Sequence, residues 1–217
     1  VNKQKILSSA DLVFLIDGSN KVGARNFSLL RDFLVNFVQR HLDIGRRDIQ
    51  VAVVQYSDDV KVEFALNVHS SKAQLTAALR NLRLLGGEES NLGAAIQHVL
   101  ENIFTAAAGS RREEGVPQSL VIISAGPSSD EFRDASNDLK INRIITFGIA
   151  VEGADTPELQ QIASDGSFVF VSRQFQSLGD LDSQLVPYIA GVNFSGTNHQ
   201  EMSTTLSHWI INLRKIL

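Results

Sequence analysis

The chain has no cysteine, and that absence excludes a disulfide framework, a thiolate metal centre and cysteine catalysis together. It leaves the compartment open, because a domain large enough to rely on its core does without disulfides outside the cell as well as inside. No apolar run approaches the ~20 residues that cross a bilayer, so membrane insertion is not expected. Residues Val1 to Ala10 lack the pattern of a signal peptide, as expected after leader removal or for a module of a longer chain. Positive charge is not in excess either. With 20 lysines and arginines against 24 aspartates and glutamates, the net charge is -4, which leaves no electrostatic footprint for nucleic acid.

What is present is a globular composition: 217 residues, 43% hydrophobic, the size of one ordinary domain or a domain with an appendage. Short apolar runs alternate with amphipathic stretches. Strands are expected at Asp11 to Ile16, Ile49 to Tyr56, Val60 to Leu66, Ser119 to Ser124, Ile144 to Ala150 and Ser167 to Val171. Between them, helical spacing runs over Asn26 to His41, Ser71 to Leu82, Leu92 to Phe104, Arg133 to Lys140 and Pro157 to Ala163, the last opened by Thr156 as cap. A helix over Leu178 to Ile189 follows. Nearly continuous apolar strands separated by helices imply an α/β doubly wound, mostly parallel sheet covered on both faces, with ligands expected at the carboxyl ends of the strands.

On that rim, a buried strand ends in Asp17, Gly18, Ser19, Asn20 and Lys21. An aspartate and a serine two apart at a strand end supply two oxygens suited to a hard cation such as Mg²⁺. Lys21 argues against the cation, because a fixed ammonium stands where a further oxygen is needed.

These pieces resemble a von Willebrand factor type A domain from about Ala10 to Phe194. They are Asp11-Leu-Val-Phe-Leu-Ile-Asp17-Gly-Ser19, Val51-Ala-Val-Val-Gln-Tyr56-Ser57, Leu85-Gly-Gly87, Asn91-Leu-Gly93, Val121-Ile-Ile-Ser-Ala125-Gly126 and Glu158-Leu-Gln-Gln-Ile-Ala-Ser164. Among such domains they are most similar to the N-terminal A domains of collagen VI chains. The resemblance implies a metal-ion-dependent adhesion site written Asp-x-Ser-x-Ser on a first loop, threonine on a second and aspartate on a third. Asp17 and Ser19 match, Lys21 replaces the second serine, and Ala125 stands where the family writes the third-loop aspartate. The threonine position falls within Glu88-Glu89-Ser90 without a choice among them. Lys21 either pairs with Asp17, replacing the charge of the cation, or points into solvent.

The remaining candidates read as structure. His41, His69, His98, His199 and His208 form no triad with Ser19, and the glycine-rich loop Leu85 to Gly93 lacks the Walker lysine and carries two glutamates that would repel a phosphate. Asn26-Phe-Ser28 and Asn193-Phe-Ser195 are glycosylation sequons, with Asn26 also placed to cap a helix. Arg46-Arg47 and Arg111-Arg112 read as solvated surface that would hold an acidic partner if the pairs converged.

The expected domain spans residues 1–195. Residues 196–217 form a linker or tail, native or added in cloning, with Leu206, Trp209, Ile210, Leu213 and Ile216 at helical spacing. The resemblance implies a secreted, non-enzymatic extracellular matrix module without a cofactor, contributing to collagen VI microfibril assembly or matrix attachment. Its partners would be other matrix proteins and neighbouring A domains of the same chain, bound away from a disabled metal site. The alternative is a metal-dependent adhesion domain that takes a ligand carboxylate through Mg²⁺.

Overall fold

The computed structural model describes residues 9–189. Six strands make one sheet in the order β3-β2-β1-β4-β5-β6. They are β1 (Ala10–Asp17), β2 (Ile49–Tyr56), β3 (Val60–Phe64), β4 (Gln118–Ser124), β5 (Ile145–Val151) and β6 (Val169–Ser172). The pair β2 and β3 is antiparallel; every other neighbouring pair is parallel. The doubly wound arrangement therefore agrees with the expectation from periodicity.

The helices are α1 (Gly23–His41), α2 (Lys72–Arg80), α3 (Leu92–Asn102), α4 (Arg133–Ile141), α5 (Thr156–Ile162) and α6 (Asp182–Ile189). Because strand side chains alternate, β1 serves two cores. Leu12, Phe14 and Ile16 pack with α1, α2 and α6, whereas Val13 and Leu15 pack with α3, α4 and α5. Each fully buried side chain of this size is worth roughly 1.5 to 3 kcal/mol, so the central strand anchors both layers. Strand order reverses between β1 and β4, and the loops leaving their carboxyl ends diverge to opposite faces. That divergence opens the rim where Asp17 ends β1.

Several boundaries differ from the sequence expectation for local reasons. Helix α1 begins at Gly23, so Asn26 lies in its first turn and caps nothing; its Nδ2 donates instead to Glu152 Oε2 at 3.5 Å. Helix α5 is capped by Asp155, whose Oδ1 accepts from the Glu158 amide at 3.1 Å, and Thr156 is already helical. Asp165 accepts from the Ser167 amide and closes a 3-10 turn over Gly166–Phe168, which delays β6 to Val169. The stretch expected as one helix from Leu178 divides into a 3-10 segment, Phe175–Leu181, followed by α6. Asn193, and the tail from 196 with its helical spacing, lie outside the described residues.

Candidate functional site

Three loops meet above the carboxyl ends of β1, β2 and β4. The first follows β1, and its turn is held by the Asn20 amide donating to the Gly87 carbonyl at 2.7 Å and the Gly86 amide to the Gly18 carbonyl at 2.8 Å. Gly18 has no room for a side chain, since a Cβ would stand 2.4 Å from Gln55 Oε1. Gln55 is fully buried, and its amide ties β2 to the second loop: Oε1 accepts from the Leu85 amide, and Nε2 donates to the Arg83 carbonyl and to Glu63.

Asp17, Ser19 and Ser90 come together, all three at 0% exposure. The Ser19 amide donates to Asp17 Oδ1 at 2.9 Å. Ser90 Oγ lies 3.4 Å from Asp17 Oδ2 and 3.3 Å from Ser19 Oγ. The structure thus selects Ser90 from the Glu88-Glu89-Ser90 trio. Glu88 and Glu89 are exposed, with their amides donating to Asp58 and the Glu88 carboxylate accepting from Asn20 Nδ2 at 2.8 Å. The sequence left that choice open, and only the folded loop turns the Ser90 hydroxyl inward.

Lys21 fits neither of its expected placements in full. No ion pair joins it to Asp17 among the described residues; its ammonium donates to Ser90 Oγ at 3.5 Å, one hydroxyl removed from the carboxylate. Its stem crosses Gly126, with Cδ 3.5 Å from where a Cβ on that glycine would stand. Ala125, half-buried, ends the third loop's approach without a carboxylate, and the Ser124 hydroxyl is turned to the Gly126 carbonyl at 2.7 Å. One carboxylate and two hydroxyls, with an ammonium against one of the hydroxyls, do not fit a Mg²⁺ ion, which takes near-octahedral oxygen ligands.

The second and third loops are locked together. The Ser90 amide donates to Ser129 Oγ and the Ser129 amide to the Ser90 carbonyl, both at 2.9 Å. Asp130 caps α3 from the neighbouring loop, accepting from the Gly93 and Ala94 amides at 2.8 Å each, where Asn91 offers no side-chain cap. Gly93 permits this approach, because a Cβ there would meet the Glu131 carbonyl oxygen at 2.1 Å. Beneath the rim lies buried Tyr56, whose phenol is pushed well above its usual range by burial first and by the charge of Asp17 next. Burial also raises the Glu158 carboxyl, although its oxygens accept from the Ser128 amide at 3.0 and 3.1 Å.

The other sequence candidates are dispersed. His41 lies 2.9 Å from Asp182, and the His69 ring stands edge-on to Phe64; neither approaches Ser19 in a hydrogen bond. Asn26 is half-buried on α1, and the Ser28 hydroxyl of its sequon donates to the Ala24 carbonyl at 3.1 Å. Arg111 is not solvated surface. It is buried against Asp11 at the opposite end of β1, and its Nη1 donates to the Arg46 carbonyl at 2.8 Å, so only Arg112 of that pair remains exposed. The alternation of residue types gave no signal for this inward turn.

A family model described as von Willebrand factor type A domain matches residues 11–184. The collagen alpha-4(VI) chain of Mus musculus is 36% identical over 181 residues, covering 82% of this chain and 8% of that protein. Matrilin-1 of Mus musculus is 33% identical over 181 residues, covering 82% of this chain and 35% of the relative. The chain therefore spans a minor part of the length of the curated relatives it matches. Among solved structures, proximal thread matrix protein 1 from the mussel byssus superposes with a TM-score of 0.77 at 24% identity, covering 82% of this chain and 47% of that one. Another structure of that protein, described as having a zinc-occupied MIDAS motif, gives 0.76.

Proposed function

Because this chain belongs to the von Willebrand factor type A domain family, as found in extracellular matrix proteins, we propose that it is a non-enzymatic protein-interaction module whose adhesion rim has lost its metal. Its relatives are matrix collagens and matrilin, and its setting is theirs, secreted and extracellular. The observation that carries the metal-free reading is Lys21, whose ammonium rests on Ser90 Oγ while Ala125 brings no carboxylate. A cation there would meet a like charge and lack one of its anionic ligands.

Binding then falls to surfaces that work without a metal, toward other matrix proteins and neighbouring A domains of the same chain. Collagen VI microfibril assembly or matrix attachment is the role this supports. Individually weak contacts suit a repeated module, since linked sites gain effective concentration. The domain is taken as residues 1–195, a span supported by the family match over residues 11–184, with 196–217 as linker or tail.

Asp17, Ser19 and Ser90 do keep three oxygens together, which favours the second reading, metal-dependent adhesion. Calorimetric titration of metal-free protein with Mg²⁺ and Mn²⁺ separates the two. The expected result is no heat and no thermal stabilisation. Saturable binding at micromolar to millimolar metal would require Lys21 to swing aside and would put the adhesion reading first.

A further inference from the structure

At the other end of the sheet from Asp17, a cleft of about 450 Å³ is lined by Arg112, Val116, Pro117, Ile141, Arg143 and Ile145. It sits beside the starts of β4 and β5, where Ser119 pairs with Ile145. Its size is that of an ordinary ligand pocket. Ile141, on its lip, is 76% exposed, more than any other large apolar side chain among the described residues.

The way α4 stops beside this cleft is unusual. The Arg143 amide donates to the Lys140 carbonyl at 3.0 Å and the Ile144 amide to the Leu139 carbonyl at 2.9 Å, a Schellman closure. The left-handed residue of that closure is ordinarily glycine, yet here it is Arg143 at φ 54°. Attraction to the helix C-terminus accounts for a cation nearby but not for an arginine in the strained position itself. Its guanidinium makes no hydrogen bond or ion pair with any described residue. Arg112 is drawn over the same helix end by hydrogen bonds to the Asn142 carbonyl and side chain. Two guanidiniums therefore flank an apolar floor in a chain of net charge -4. Of the adjacent glutamates, Glu114 lines a separate hollow with Arg46 and His69.

We propose that this cleft docks an acidic segment of a partner protein, a bulky apolar side chain entering between Ile141 and Val116 while neighbouring carboxylates pair with Arg112 and Arg143. Guanidinium groups take carboxylates in two-pronged pairs, and the apolar floor supplies the burial that charge alone lacks. The site deepens the metal-independent reading and rests on it, since it names a surface and a partner chemistry that need no cation.

The test is an amide-shift titration of the ¹⁵N-labelled full chain in EDTA with the peptide acetyl-Ser-Leu-Glu-Glu-Leu-Ser-amide. Two control peptides replace both glutamates by glutamine or both leucines by serine. Saturating shifts confined to the amides of residues 112–116, Gln118 and residues 140–145 are expected, with each control weaker by about tenfold or more. The double variant Arg112→Ala, Arg143→Gly should lose binding to the same extent, while Arg143→Gly alone melts no lower than the parent. Absence of saturable shifts, or equal binding by either control, would overturn the docking site and leave the metal-free reading standing. Shifts at Asp17, Ser19 and Ser90 on adding Mg²⁺ to EDTA-free protein would overturn that reading instead.

Discussion

Strand β1 carries a buried aspartate at each end, and the two are treated in opposite ways. Asp11 and Asp17 are both at 0% exposure. Asp11 Oδ1 accepts from Arg111 Nε at 2.9 Å and from Gln50 at 3.1 Å, and Arg111 Nη2 stands 2.8 Å away; Oδ2 accepts from the Arg111 amide and from Gln118. Asp17 has one amide and one long hydroxyl contact, with the nearest ammonium a residue removed. The lower carboxylate is compensated from within the chain. The upper one is held by dipoles, in the place where the family resemblance implies an outside cation. A buried charge alone does not reveal a ligand site; what distinguishes one is the absence of an internal partner of opposite sign.

The sharpest way to break this comparison is to remove the internal partner. Arg111→Met should leave Asp11 buried and unpaired, with the carbonyls of Arg46, Ala10 and Asp48 also losing their donor. A loss of about 3 to 5 kcal/mol is expected in urea unfolding. Asp17→Asn keeps an acceptor for the Ser19 amide and removes a charge that no cationic side chain among the described residues pairs with, so its expected change is within about 1 kcal/mol. Equal losses at the two ends would show that Asp17 is compensated after all.

A smaller effect would convert the upper end to its implied chemistry. Lys21→Ser with Ala125→Asp removes the ammonium and restores the third-loop carboxylate. Mg²⁺ at 100 times its Kd should then stabilise the double variant by about 2.7 kcal/mol and the parent not at all. If thermal unfolding of the double variant ignores Mg²⁺, the placement of these loops about a metal position is wrong.

Much of this contrast was legible in the residues and some was not. The alternation of Leu12, Val13, Phe14, Leu15 and Ile16 announces a strand buried on both faces, Asp17 and Ser19 stand at its end, and the family resemblance assigns Lys21 and Ala125 to the same rim. Ser90 could not be separated from Glu88 and Glu89, because only the fold shows that Asp58 turns those two amides outward. Arg111 was misread for a related reason. Its partner Asp11 lies 100 residues away, and nothing in the local Arg-Arg-Glu-Glu run distinguishes an inward from an outward guanidinium. Helix limits shifted where a side chain outside the periodic pattern, such as Asp155 or Asp165, took the backbone amide.

At the lower end, Arg143→Gly tests whether the fold tolerates Arg143 or needs it. Glycine adopts the left-handed position without steric cost, so the variant should gain about 1 kcal/mol or less, part of the relief being offset by the greater freedom of glycine in the unfolded chain. A marked loss of stability would mean that the guanidinium supports the helix end, and its exposure at the cleft would carry less weight.

The smallest effect expected is a pH dependence confined to the upper end. Glu158 is raised above its reference value of 4.5 by burial, with Asp155 and Asp130 adding to the Ser128-opposed shift. The folded chain thus holds a proton that the unfolded chain has released, and stability falls as pH rises through the interval just above 4.5. Glu158→Gln keeps an acceptor for the Ser128 amide and has no proton to lose, so its stability should run flatter across that interval and overtake the parent toward neutrality. Parallel curves for the two proteins would mean that the Glu158 carboxyl is not raised by its burial, and the difference between the two ends would reduce to Asp17 alone.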